Sequence, residues 1–136
     1  ITGVQLEVGD TATEFEHRSY GDELARCQRY YYKLVHLEDD KAIAEASYYN
    51  SSQIYGTIHP PVSMRVAPSI DVASGTNYYK MNSNGTGDSL DDFTITKATT
   101  NVFIIANTSD ASGTGGNSGF LKTNSASASL GFSAEL

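Results

Sequence analysis

Apolar and polar residues alternate most regularly at the end of the chain, where Ala126, Ala128, Leu130, Phe132, Ala134 and Leu136 interleave with Ser125, Ser127, Ser129, Gly131, Ser133 and Glu135. Successive side chains of a strand point to opposite faces, so this pattern predicts one strand over residues 125–136, with apolar groups on one face and mostly hydroxyls on the other. At about 3.4 Å per residue it would reach about 35 to 40 Å and cross the whole domain. Shorter strands are predicted over 28–35, 42–49, 53–58, 62–66, 69–73, 77–81, 93–96 and 101–106, each bounded by turn-forming residues.

Two of these segments are apolar on both faces. In 28–35, Tyr30, Tyr32 and Leu34 alternate with Tyr31 and Val35, and Val102, Phe103, Ile104 and Ile105 follow one another without a polar residue. A sheet with a single buried face has no use for the second apolar face, so both segments are expected to meet another copy of the chain. One short helix is predicted near the start: Ser19 caps it, Asp22 and Glu23 suit the positive end of its dipole, and it runs through Leu24 and Ala25 to about Cys27.

Residues 1–8 read as a strand with no partner upstream, followed by a turn at Gly9-Asp10 and an extended connector through Phe15. The expected division is therefore 1–19, the last strand and connector of an upstream domain, and 20–136, a head domain. Two long polar loops are expected, 82–92 around Asn84-Gly85-Thr86-Gly87 and 107–119 with Gly113, Gly115 and Gly116. Many short strands with such spacers predict an all-β, antiparallel β-sandwich of jelly-roll-like form with one short N-terminal helix.

Composition narrows the class of function. The chain has 136 residues, a hydrophobic share of 39%, nine tyrosines and no tryptophan, with Ser, Thr, Asn and Gly filling much of the rest. Its formal charge of −7 opposes nucleic acid and anionic membrane surfaces, and no apolar run has membrane length. The single cysteine, Cys27, excludes an internal disulfide framework and reads as a small buried hydrophobe. A modest domain without disulfides gains robustness by oligomerising.

The N-terminal residues carry a resemblance. Gly3-Val4-Gln5-Leu6-Glu7-Val8-Gly9, Thr11-Ala12-Thr13, Phe15-Glu16-His17-Arg18-Ser19-Tyr20-Gly21, Glu23-Leu24 and Cys27-Gln28-Arg29-Tyr30-Tyr31 together resemble the junction in bacteriophage tail-fibre and receptor-binding proteins of marine type. There a carbohydrate-binding-module-like jelly roll meets a C-terminal head domain. Arg65-Val66-Ala67-Pro68-Ser69-Ile70 and Ser133-Ala134-Glu135-Leu136 are similar to that family's C-terminal domain. The resemblance implies a virion location, synthesis in the host bacterial cytoplasm, attachment to upstream fibre domains and a homotrimer. With it, Tyr30, Tyr32, Leu34, Val102, Phe103, Ile104 and Ile105 are the expected trimer interface.

No catalytic or cofactor motif is present: His17, His36 and His59 are widely spaced, and no nucleophile elbow, zinc-protease or phosphate-loop pattern occurs. Glu38-Asp39-Asp40 and Asp88 with Asp91-Asp92 read as solvated turns, with Ca²⁺ binding as the alternative. No metal site, cofactor or enzymatic activity is expected. The Asn-x-Ser/Thr triplets at Asn50, Asn84 and Asn107 read as accidents of an Asn- and Ser-rich chain.

Aromatic faces stack on sugar rings, and amide or carboxylate side chains hydrogen-bond sugar hydroxyls. On that chemistry Tyr48, Tyr49, Tyr55, Tyr78, Tyr79, Asn82, Asn84, Asp88, Asn107, Asp110 and Asn117 are the receptor-binding candidates, with at least one of the two long loops expected at a tip remote from the chain entry. The expected function is recognition of a host surface glycan or outer-membrane protein during phage adsorption. The alternative is a structural virion part that trimerises or decorates the particle without binding a receptor.

Overall fold

A computed structural model describes residues 8–11, 14 and 18–135. The strand expected over 1–8 and most of the connector lie outside the described residues. Helix α1 spans Tyr20–Gln28, and ten strands follow: β1 Tyr31–His36, β2 Ala42–Asn50, β3 Gln53–Ile58, β4 Ser69–Val72, β5 Tyr79–Ser83, β6 Thr86–Leu90, β7 Thr94–Ala98, β8 Phe103–Asn107, β9 Ser118–Thr123 and β10 Ser129–Ser133. The helix starts where its cap dictates, with the Ser19 hydroxyl oxygen accepting from the Asp22 backbone N–H at 3.2 Å.

The strands form an antiparallel sandwich. A three-stranded sheet has the order β1-β10-β4, and a seven-stranded sheet the order β6-β5-β9-β2-β3-β8-β7. The pairing is nested, first strand with last (β1 with β10), second with second-to-last (β2 with β9), and β5 with β6 as a hairpin. This nesting is the jelly-roll-like part of the fold. Strands β3, β8 and β7 extend the large sheet beyond β2, and β7 comes alongside β4.

The terminal alternation forms a strand, but a shorter one than predicted. Ala128, Leu130, Phe132 and Ala134 are fully buried on one face, whereas β10 covers only Ser129–Ser133. Ser125 turns the chain before it: its carbonyl accepts from the Ala128 N–H at 3.0 Å and its hydroxyl from the Ser127 N–H at 3.2 Å. Small hydroxyl side chains compete with the ladder for backbone groups, and β1 and β4 are too short to pair further. Even so, β10 is the middle strand of its sheet.

Three other expectations need correction. Residues 62–66 form no strand; Pro60 and Pro61 precede them, and the N–H groups of Met64 and Arg65 bond to Thr100 and Arg29 instead of a ladder. The segment 82–92 is not a loop but the β5–β6 hairpin, turned at Asn84 (φ 49°) and Gly85 (φ 76°), the left-handed pair that a two-residue hairpin demands. Strand β9 lies where a loop ending at 119 and unstructured chain were expected, yet it occupies the centre of the large sheet between β5 and β2.

The both-faced segments have partners within the chain. Phe103 and Ile105 are fully buried, and the Phe103 ring lies 4.8 Å from that of Phe132, joining the two sheets. Tyr32 stacks on Phe132 at 6.3 Å, and the ladder slips between Lys33 and Val35 so that Leu34 and Val35 both turn toward the core. Phe103 and Ile105 are therefore unavailable to a trimer interface, and Tyr32 and Leu34 are largely committed. Tyr30 stays exposed and Val102 and Ile104 half-exposed.

The outer face of the small sheet is closed over a glycine. Lys33, Gly131 and Asp71 stand side by side on β1, β10 and β4. The Tyr31 hydroxyl donates to Asp71 Oδ2 at 2.6 Å and Lys33 Nζ donates to the same oxygen at 3.3 Å, so both side chains lie across Gly131. A Cβ at residue 131 would meet the Tyr31 hydroxyl at 2.7 Å and Lys33 Cδ at 3.0 Å. Gly131→Val therefore pushes the ends of the Tyr31 and Lys33 side chains aside, and denaturant unfolding is expected to show a loss of up to about 1 kcal/mol, less than overpacking a core costs because exposed side chains can give way; a gain in stability refutes the clamp.

Acid titration reads the same contacts. The Tyr31 hydroxyl, then the Lys33 ammonium, hold the Asp71 carboxyl below the ordinary range; the Lys122 ammonium does so for Asp40, and the Asn107 amide for Asp110. A carboxyl lowered in the folded state stabilises above its unfolded value of about 3.9 and loses that contribution as pH falls through its folded value. The melting temperature is expected to be flat from neutrality to about pH 5 and to fall below about pH 4, with Asp71→Asn shallowing the fall. These groups are exposed, so each contribution is small; a melting temperature that holds or rises on acidification contradicts the assignment.

Candidate functional site

The outer face of the large sheet carries a candidate surface for a ligand. Along β9, Leu121 and Thr123 point into the core, which turns Ser118, Phe120 and Lys122 outward. Phe120 keeps 48% of its surface in solvent, with Asn82 of β5 opposite it on one side and Glu45 of β2 on the other. One step along, Ser118 faces Ser47, which in turn faces Tyr55 of β3.

Two shallow depressions flank the Phe120 ring. One, of about 510 Å³, lies toward the β5–β6 hairpin and is bordered by Lys80, Asn82, Asn84 and Thr86. The other, of about 610 Å³, lies over β2 and β3 and is bordered by Glu45, Ser47, Tyr55 and Thr57. Ser118, Gly119 and Phe120 belong to both. Gly119 is required here, because a Cβ would overlap the Asn82 carbonyl across the ladder. Beyond the second depression Tyr49, 71% exposed, meets Tyr55 edge-on with ring centroids 5.5 Å apart. The surface thus alternates exposed rings with hydroxyl, amide, carboxylate and ammonium groups.

Of the receptor-binding candidates, Tyr49, Tyr55, Asn82 and Asn84 lie on this face. Tyr79 is fully buried, its hydroxyl 2.9 Å from the Ala73 carbonyl and 2.8 Å from that of Ser129, and burial pushes its pKa up to about 12. Tyr48 is buried against Gly113, donates to Asp88 at 3.0 Å, and is likewise pushed to about 12, first by burial and then by that carboxylate. Neither ring can stack on a ligand. Tyr78 is half-buried with its ring against Gly75, at the opposite end of the sheet.

The side chains of Asn107, Asp110 and Asp88 are occupied by the fold. Asn107, 1% exposed, accepts from the N–H groups of Asp110 and Ala111 at 3.0 Å and donates to the Asp92 carbonyl and to Asp110 Oδ2 at the same distance. Asp88 accepts from Tyr48 and from the Ser112 N–H at 2.7 Å. Asp110 also accepts from the Asp91 N–H at 3.2 Å, and the Asn117 backbone bonds to Tyr48 and Thr114. Buried amides are spent on internal partners because leaving them unpaired is costly.

Loop placement also differs from expectation. The cross-sheet connections 37–41, 73–78 and 124–128 lie at one end of the sandwich, because β1 and β4 both end opposite the start of β10, and Leu37, Ala73 and Asn124 bond to Ala128, Ser129 and Tyr78 there. The start of β1, with α1, is at the other end, as are the Asn84-Gly85 turn and the Gly113–Asn117 part of the loop, which bonds to Tyr48 and Ser51 at the end of β2. The two loops thus share the end by which α1 enters, together with the 51–52 turn, and the cross-sheet connections 37–41, 73–78 and 124–128 occupy the far end.

Phe120, Ser118, Glu45, Ser47, Thr57 and Lys80 were not singled out from the sequence. The outward register of Phe120 follows from Leu121 and Thr123 facing inward, a signal readable only once Ser118–Thr123 is known to be a strand. Among the described residues no group of three His, Cys, Asp or Glu side chains is arranged to hold a metal ion, and Cys27 is exposed instead of buried. No family model, curated protein or solved structure matches the chain.

Asn107→Ala is expected to cost at least about 2 kcal/mol in denaturant unfolding, because it strips partners from several buried backbone groups at once. Loss of the 108–112 conformation should appear as faster amide exchange at Asp110 and Ala111. Wild-type exchange at these amides counts against the hub.

Proposed function

We propose that the chain is a recognition module that binds a carbohydrate along the outer face of β5, β9, β2 and β3. The observation that carries this reading is Phe120: a half-exposed ring at mid-sheet, bordered by two depressions whose rims supply hydroxyl, amide and carboxylate groups. A sugar offers an apolar face of C–H groups and a rim of hydroxyls, so an aromatic platform with polar neighbours on both sides is complementary to it. The rings at Tyr49 and Tyr55 continue the platform, as a ligand of several sugar units needs.

The resemblance of residues 3–31 to phage tail-fibre proteins supports placing this module in a virion, as one copy of a homotrimeric fibre head that adsorbs to a host surface glycan. In that setting the binding face lies along the flank of the head, and the far-end connections form its tip.

The test is binding of the purified protein to a glycan array and to host cells, comparing wild type with Phe120→Ala and Tyr49→Ala. Phe120→Ala is expected to weaken binding about tenfold or more, as loss of a central aromatic contact does, while the melting temperature changes little. Undiminished binding by both variants sinks the assignment of the face.

A further inference from the structure

A nine-residue helix is too short to persist in water unless it packs an apolar stripe on something. Helix α1 has no buried residue. Its large apolar side chains stay outside the core: Tyr20 is 81% exposed, Leu24 40%, and Cys27 is exposed as well. The side that faces the body is the polar one, where Asp22, Ala25, Arg26 and Arg29 line a cleft against Val62 and Ser63. At about 100° per residue, Tyr20, Leu24 and Cys27 cluster about 180° from those four. Among the described residues nothing buries the apolar side of the helix.

We propose that this stripe is a self-association seam, covered by the same stripe of neighbouring copies of this chain running parallel to it. The spacing of four and then three residues is that of alternating core positions in a coiled coil. Charge favours a copy of this chain as the occupant. Arg26 and Arg29 stand on the far side, and the seam's flanks carry only Glu23 and Gln28 beside Gly21 and Tyr30. In parallel register Glu23 of one helix faces Gln28 of the next, an acceptor meeting an amide donor, and Glu23 is already neutralised by Arg18 at 2.9 Å. For a chain of net charge −7, this is a place where two copies meet with no like charges opposed.

The seam gives the self-association in the proposed function a location, and its test reads assembly alone, so that failure of glycan binding leaves it standing. Cys27 is the only cysteine, so every disulfide the chain forms joins two copies. In a symmetric parallel seam Cys27 faces its own counterpart. Adding copper-phenanthroline, which takes two electrons from the paired thiols while their two protons go to solvent, is expected to give a disulfide-linked dimer at micromolar protein.

Leu24→Glu is expected to weaken association in sedimentation equilibrium, and to lower cross-link yield, at least about tenfold, because each copy then brings an unpaired carboxylate into the seam. Leu24 is not buried, so the melting of the β-sandwich serves as the control for folding. A monomeric wild type, an assembly indifferent to Leu24→Glu, or an assembled protein whose Cys27 does not cross-link each overturns the seam.

Discussion

The sandwich depends on one strand that is buried from both sides. Ser129, Leu130, Gly131 and Phe132 of β10 are all buried, the two apolar side chains facing the large sheet and the glycine lying under Tyr31 and Lys33. Leu130 and Phe132 anchor the core through contacts such as that between Phe132 and Phe103. On the outer face Asp71 ties down the two side chains that cover the glycine, so β1 and β4 are joined across β10 by side chains as well as by ladder hydrogen bonds. A strand with small residues on one side can be covered by its neighbours' side chains, and that is how three strands suffice for one wall of the sandwich.

The same economy of side chains shapes the opposite wall. Gly119 lets β9 approach the Asn82 carbonyl, and Gly56 leaves room for Leu121 and Ile105 beneath the sheet. With the core side filled by Leu121, the outward Phe120 stands over a face whose other members are mostly small or polar, and shallow depressions remain on either side of it. The potential ligand surface is therefore a by-product of where the core needed glycine. Asn107, Asp110 and Asp88, by contrast, spend their amide and carboxylate groups on holding the 107–112 segment in place.

Much of the fold was legible because burial leaves a period of two in the sequence. That period located β2, β3, β4 and the inward face of β10, the unbroken apolar run at 102–105 located β8, and Ser19 with Asp22 located α1. Legibility failed where the pairing partner decides the structure. Thr86–Leu90 has poor strand character and is a strand because Asn84-Gly85 folds it back on β5; Ser118–Thr123 is one because it fills the gap between β5 and β2. Losing β9 from the prediction meant losing Phe120 with it. The tyrosines divided for a similar reason: Tyr48 and Tyr49 are adjacent, and only the register of β2 sends one inward and the other into solvent.

The position of β1 bears on how the domain answers a pull. The chain enters through α1 at Tyr31, whose ladder partner is Ser133, and from there β1 runs along β10 to His36 opposite Ser129. Tension applied through α1 along the strand axis loads these rungs together, in shear, and none can open without sliding the whole strand past its neighbour. Because the Tyr31 hydroxyl and Lys33 reach over β10 to Asp71 on β4, the outer side-chain clamp must break in the same movement. Anchored at α1 and held at the far-end connections, the domain meets force along the β1–β10 ladder, so its lifetime under load is set by the rate of that sliding and not by its equilibrium stability.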